Sequence, residues 1–318
     1  MIRVSAGTAA CLGLTTNRMD AYPTTAYLLS GSSCQMNCAF CPQGTDSNEA
    51  LPRLGRVTWP EYSWTEVEKS LAGVEETVIR RICMQSVRHA DGIVSLLGQI
   101  GRIKTTTNLP LSLSAWIRDE DEAAAIFAAG VERISISLDV VNPEDFRRIK
   151  GGSLQERLDL LRHCAHRYPG RMSTHLVCGF GETEAEMLST IDKLLSAEIT
   201  VALFAFIPLR GTKLENEQPP AVHSYRRVQA GHFLLREKVT DFSTFQFEEG
   251  RLVSFGLPGE ELKLHLACGT AFQTSGCPDC NRPYYNERPG GIIYNYHHRL
   301  STAENAAIMN EILSSVNI

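Results

Sequence analysis

Cys34-Gln-Met-Asn-Cys38-Ala-Phe-Cys41 places three thiols in one short stretch with C-x3-C-x2-C spacing. It lies in a Gly/Ser/Asn-rich loop that follows the strand-like run Thr24–Leu29. Three thiolates from such a loop can converge on one face of a cubane. A [4Fe–4S] cluster has four irons, so three protein thiolates leave one iron open to a substrate or cofactor. A zinc knuckle is the competing reading, but structural zinc takes four ligands and pairs C-x2-C with a second pair elsewhere.

Outward from this loop, strand-like and helix-like segments alternate. Strands are predicted at Thr24–Leu29, Val78–Met84, Leu109–Leu113, Arg133–Asp139, Ser173–Cys178, Val201–Ile207 and Phe242–Phe247. Amphipathic helices are predicted at Glu61–Leu71, Ala90–Gly101, Asp119–Ala129, Leu154–His166, Glu182–Ala197 and Val222–Lys238. Asp119, Asn142-Pro143 and Thr183 read as helix starts. The continuously apolar strands suit a parallel sheet covered by helices. The expected fold is α/β, a partial (β/α)6 TIM-type barrel with function at the C-terminal strand ends. A doubly wound sheet is the alternative, but no Gly-rich dinucleotide fingerprint follows the first strand. The expected division is an N-terminal extension over 1–22, the barrel over 23–247, and an irregular C-terminal extension over 248–318.

With an aromatic before its last cysteine, the loop resembles the signature of the radical S-adenosylmethionine (SAM) enzyme superfamily. The resemblance is strongest to the biotin synthase-like branch and covers most of residues 22–247. It implies a [4Fe–4S] cluster on Cys34, Cys38 and Cys41 whose open iron binds SAM, which is cleaved reductively to a 5′-deoxyadenosyl radical. It also implies that Phe40 packs near the adenine. Further along, Arg81-Ile-Cys83-Met84, Ser137-Leu-Asp139, Cys178-Gly179-Phe-Gly181-Glu182-Thr and Ile207-Pro-Leu-Arg-Gly211-Thr end successive strands as in that branch. By the same resemblance, Ser137 and Asp139 lie near the ribose and substrate, and Gly179, Gly181, Glu182 and Gly211 form turns beside the cofactor. Gln85 is a candidate contact for the SAM amino group. Plain turn chemistry is the alternative for Asp139 and the glycines, and loop polarity for Gln85. The chain lacks most of the barrel cysteines that hold the auxiliary cluster of biotin synthase. A lone cysteine on a strand is expected to pack as a small apolar residue, and Cys83 is read that way.

Near the end, Cys268 precedes Cys277-Pro-Asp-Cys280 with C-x8-C-x2-C spacing. The expected ligand set is Cys268, Cys277 and Cys280 around an auxiliary Fe–S cluster, most simply [4Fe–4S]. Zinc held with His265 is the competitor. This C-terminal group resembles the two-component lipoyl synthases of archaea and anaerobic bacteria. That implies sulfur insertion into an octanoyl chain on a carrier protein or lipoyl domain, a second radical SAM protein as partner, and a ferredoxin or flavodoxin as electron donor. Other radical SAM reactions (biotin synthase-like sulfuration, a mutase, peptide modification) and a zinc-stabilised binding protein are the alternatives.

Composition sets the outer limits. The chain has 318 residues, 36 acidic against 31 Lys and Arg, and a net charge of −5. That leaves no global basic footprint for nucleic acid or anionic lipid. The longest apolar stretch, Val201 to Leu209, falls short of the roughly 20 residues that cross a bilayer. The apolar run near Cys11 is too short for a secretory segment. A cytoplasmic, reducing setting is therefore expected, where clustered cysteines point to metal or catalysis rather than disulfides.

Overall fold

The computed structural model describes residues 1–49, 52–89 and 92–317. Its main sheet is built from β1 (Ile2–Val4), β2 (Thr25–Ser30), β5 (Glu61–Tyr62), β6 (Arg81–Ser86), β7 (Leu111–Ser114), β8 (Arg133–Ser135), β9 (Met172–Cys178) and β10 (Thr200–Ala205). β3 (Arg53–Leu54) and β4 (Val57–Thr58) form a small hairpin. The sheet order is β10-β9-β8-β7-β6-β2-β1-β5. β2 and β6 to β10 are all parallel, while β1 and β5 add antiparallel strands at the β2 side. This is the partial barrel that the alternation predicts, left open between its first and last parallel strands.

Side-chain alternation decides what each face does. Leu28, Ile82, Met84, Leu111, Leu113, Ile134, Leu176 and Leu203 are fully buried and belong to the apolar core. The alternate residues Tyr27, Cys83, Gln85, Ser112, Ser114, Ser135, Ser173 and His175 line a cavity in the barrel interior. The small Cys and Ser side chains among these leave a cavity where a closed barrel would be packed by side chains.

The helices are α1 (Ala6–Cys11), α2 (Trp64–Ala72), α3 (Gly92–Thr106), α4 (Glu120–Ala128), α5 (Pro143–Ile149), α6 (Leu154–Arg167), α7 (Glu184–Ser196), α8 (Val222–Arg236), α9 (Gly259–Leu266) and α10 (Thr302–Ser315). The expected starts carry caps: Asp119 accepts from the Glu122 amide, Asn142 caps α5 with Pro143 in its first turn, and Thr183 forms a capping box with Glu186. α2 begins at Trp64 rather than Glu61 because Glu61–Tyr62 pairs with β1. The expected start of α3 at Ala90 lies outside the described residues.

The predicted seventh barrel strand, Phe242–Phe247, does not join the barrel. Phe242–Thr244 is a 3-10 turn, and β11 (Gln246–Glu248) pairs only with β12 (Arg251–Ser254). The reason is aromatic packing: Phe242, Phe245, Phe247 and Phe255 stack on one another with centroids 5.7 to 6.4 Å apart. A buried ion pair holds this hairpin to the barrel helices, with Arg227 on both Glu184 oxygens and the Leu252 amide donating to one of them.

The segment after α9 returns to the barrel. Ser275 accepts from the Leu203 amide on β10, while Asn281 accepts from Thr24 and the Asp279 carbonyl accepts from Thr24 and Thr25 beside β2. The tail thus spans the gap that the open barrel leaves between β10 and β2.

Candidate functional site

The Cys34–Cys41 loop leaves the C-terminal end of β2 and is held from three sides. Gln35 N–H donates to Arg88 O, Ala39 N–H to Ile149 O at the end of α5, and Leu214 N–H to Ala39 O. Gly211 lies against this region, and a Cβ there would stand 2.7 Å from the Glu49 amide nitrogen, so a side chain is excluded. Phe40 stacks on Phe180 at 5.2 Å, and Phe180 on Phe206 at the same spacing.

Burial, with the neighbouring loop cysteines adding to it, pushes the Cys38 thiol up to about 11 and the Cys41 thiol up to about 12. Buried thiols this close disfavour thiolates unless a cation compensates them. Three soft thiol donors on one loop suit an iron–sulfur group. Among the described residues, no three His, Cys, Asp or Glu side chains stand close enough to enclose a single metal ion, whereas a cubane takes each thiolate on a different iron.

Above the loop cysteines lies a cavity of about 100 Å³ lined by Phe40, Cys41, Asp139, His175, Phe204 and Tyr285, among others. Asp139 is buried, adopts φ +62° and bridges to Leu176 of β9. Its Oδ2 accepts from Lys150 Nζ at 2.5 Å, and Lys150 also donates to the carbonyls of Ser137 and Leu138. The expected ribose acceptor is therefore already braced by a buried cation. Ser137 Oγ lies 3.0 Å from His175 Nδ1. Burial lowers the His175 imidazole to about 4, so the ring is neutral near pH 7.

Gly179 has φ +114°, and a Cβ there would meet Pro220 Cδ at 2.8 Å. Glu182 accepts from the amides of Gly179 and Phe180, so its carboxylate closes the turn from within. Burial pushes that carboxyl above its ordinary range, against the amides of Gly179, Phe180 and Glu182 itself, which favour the charge. Gly181 has φ +107° with only Asp145 at the edge of contact. Gln85 lines the deeper lumen cavity and is not among the residues around the loop cysteines.

That deeper cavity, about 50 Å³, brings Cys277 and Cys280 of the tail against the barrel strands. Cys280 Sγ lies 3.3 Å from Tyr27 Oη, and Ser112 Oγ lies 3.6 Å from Cys277 Sγ. Cys83 lines the same cavity. Burial raises the Cys83 thiol well above its ordinary value, and the proximity of Cys277 and Cys280 adds to it. Cys268 is not with them. It is exposed, its thiol faces Thr270 Oγ1 at 3.2 Å, and Arg299 is the charged group beside it. The expected trio of Cys268, Cys277 and Cys280 is thus not brought together: the left-handed turn at Gly269 and the following 3-10 turn separate Cys268 from the strand interior.

His175, Phe204 and Tyr285 form walls of both cavities. A third, open cavity of about 410 Å³ shares Tyr27, Arg282 and Tyr285 with the deeper one and adds Arg18, Arg53, Arg56 and Arg288. Sequence reading missed it because its arginines are scattered singly along the chain. Polar residues at every second position of strands expected to be apolar are the signal that could have exposed the lumen.

Among solved structures, the FeFe-hydrogenase maturase HydG from Carboxydothermus hydrogenoformans superposes with a TM-score of 0.55 and 14% identity, covering 90% of this chain and 65% of that one. Methylornithine synthase superposes with a TM-score of 0.53 and 13% identity, covering 73% of this chain and 66% of that one. These show a shared fold. A GTP 3′,8-cyclase from Peptoclostridium acidaminophilum is 28% identical over 191 residues, 57% of this chain and 55% of the relative. A biotin synthase from Acaryochloris marina is 22% identical over 186 residues, 57% of this chain and 52% of the relative. The chain spans about half the length of these curated relatives. No helix among the described residues is long and apolar enough to cross a membrane. The radical SAM superfamily model matches residues 28–194, from β2 through α7 and including all three loop cysteines and the Asp139 and Gly179 turns, and the chain belongs to that superfamily.

Proposed function

We propose that this radical SAM enzyme inserts sulfur into an unactivated C–H bond, acting as a lipoyl synthase component on a protein-bound octanoyl chain. One observation carries the reading: the tail places a cysteine pair inside the same barrel lumen that the Cys34–Cys41 loop caps, with His175 and Tyr285 standing between. Bound there, the SAM cluster would supply hydrogen-abstracting radical chemistry driven by an electron from a ferredoxin- or flavodoxin-class donor, and a cluster on the tail cysteines would supply the sulfur.

The chain's own residues position and shield these groups. Cys34, Cys38 and Cys41 hold the SAM cluster, and Phe40, stacked on Phe180, walls one side of the cofactor. Lys150 fixes the Asp139 carboxylate at the strand end, leaving its second oxygen to face a ribose. Neutral His175, held by Ser137, adds no charge to a lumen that must accept an alkyl chain. Phe204 and Tyr285 line both cavities, where their rings would keep water from the path between them.

The outer cavity sets five arginines against Asp20 and Glu287, an excess of positive charge that favours an anionic feature on the substrate. It suits the phosphate of a carrier arm or an acidic protein face. It also favours a second reading, a radical reaction on a phosphorylated small molecule with the tail centre as anchor. Anaerobic turnover with SAM, reductant and an octanoylated lipoyl-domain peptide, with and without a second radical SAM protein, separates the two. The sulfur reading expects 5′-deoxyadenosine together with a thiolated octanoyl product. Deoxyadenosine with unmodified peptide in both arms overturns it.

A further inference from the structure

The strand register sets three residues side by side across the barrel floor. Tyr27 on β2 pairs with Cys83 on β6, and Cys83 pairs with Ser112 on β7. Neighbouring strands lie about 4.8 Å apart, so Cys83 sits midway in a row roughly 10 Å wide. The tail contacts both ends of this row: Cys280 Sγ lies 3.3 Å from Tyr27 Oη and Cys277 Sγ lies 3.6 Å from Ser112 Oγ. Two tail thiols and the strand thiol therefore line one cavity.

The segment carrying them is pinned on both sides. Arg81 Nε donates to Pro278 O, and the Arg282 amide donates to Tyr27 Oη. Gly276, at φ +121°, lies so close to β10 that a Cβ would stand 2.9 Å from the Ala202 Cβ. The two arginine side chains line the cavity and would balance the negative charge of a thiolate-ligated group. The donor count is three thiols. The one imidazole on the cavity wall, His175, is engaged with Ser137. Zinc in a structural site takes four N or S ligands, whereas three thiolates with one open iron suffice for a cubane.

We infer that Cys83, Cys277 and Cys280 are the protein ligands of a second iron–sulfur cluster inside the barrel, and that Cys268 is not a ligand. The inference rests on the proposed sulfur-inserting reading only for the use of the cluster; the ligand set stands on the geometry alone.

The test uses the full chain with Cys34, Cys38 and Cys41 all changed to Ala, reconstituted anaerobically with iron and sulfide and followed by iron and sulfide analysis, Mössbauer spectroscopy and EPR. This background is expected to retain roughly half of the wild-type iron, as a cluster signal of its own. Adding Cys83→Ser, Cys277→Ser or Cys280→Ser is expected to remove that signal, while adding Cys268→Ala leaves it unchanged. Near-UV circular dichroism on each variant separates ligand loss from unfolding, and a folded Cys83→Ser protein that keeps the wild-type spectrum overturns the inference. So does loss of the signal with Cys268→Ala, or a colourless background protein that holds zinc without sulfide. A cluster with these ligands in an enzyme that yields no thiolated product leaves the ligand set standing and defeats the sulfur reading instead.

Discussion

Tyr27 Oη lies 3.3 Å from Cys280 Sγ and accepts the Arg282 amide at 3.1 Å, so one strand hydroxyl holds both the cysteine and the backbone of the returning tail. Tyr27→Phe leaves the Arg282 N–H without its acceptor, at a cost of about 1–3 kcal/mol. Amide hydrogen exchange across residues 274–285 is expected to quicken by roughly ten-fold or more, with the helices outside unchanged. Unaltered protection in the tail would show that the hydroxyl does not anchor it.

The Asp139–Lys150 pair makes a second, energetically larger prediction. Both groups are buried, with Nζ 2.5 Å from Oδ2. Asp139→Ala strands a buried ammonium and is expected to lower stability by about 3–5 kcal/mol. Adding Lys150→Met removes that orphan charge and is expected to recover most of the stability but none of the SAM affinity. Chemical denaturation and SAM binding, measured on both variants, check the two halves separately. Recovery of SAM affinity in the double variant would assign Asp139 a purely structural part.

Arg56 and Arg288 line the outer cavity, and the proposed function has them meet anionic substrate features. Arg56→Ala and Arg288→Ala are each expected to raise KM about 10-fold, the effect of losing one charge-assisted hydrogen bond of 1.5 kcal/mol or so, with kcat little changed. Salt is expected to mimic the substitution. A fall in kcat with constant KM would move these arginines from substrate capture to the reacting centre.

Acid sensitivity follows from two imidazoles, the buried His232 and the half-buried His175. Burial lowers His175 to about 4 and His232 to about 3. Folded-state values below the unfolded value near 6.5 mean that stability is full above pH 6.5 and is lost as pH falls toward those values. By pH 5 each ring withholds about 2 kcal/mol from the folded state. His232 Nε2 has no hydrogen-bond partner, so His232→Phe is expected to flatten the acid limb of a denaturation series between pH 6.5 and 5. An unchanged slope would mean that His232 takes up its proton in the folded protein.

The barrel was legible because its evidence is local. Apolar runs such as Val201–Ala205 mark strands, and Asp119, Asn142 and Thr183 cap the helices that follow. The Cys34–Cys41 spacing lies within one loop and needs no tertiary knowledge. The tail was harder, since sequence proximity grouped Cys268 with Cys277 and Cys280. Only the strand register, which sets Cys83 between Tyr27 and Ser112, shows which thiols share a cavity. Phe242–Phe247 failed for the complementary reason: its aromatic residues have strand propensity, but they pack on each other and on Phe255 instead of extending the sheet.

The most direct measurement of sulfur insertion is the isotopic origin of the product's sulfur. The enzyme is reconstituted with heavy-isotope sulfide, freed of excess sulfide, and turned over once anaerobically with SAM, reductant and an octanoylated lipoyl-domain peptide. Mass spectrometry is expected to find the heavy isotope in a thiolated octanoyl chain, with one 5′-deoxyadenosine formed per C–S bond. Deoxyadenosine formation with a sulfur-free peptide, or with light sulfur from added cysteine or sulfide, would contradict it.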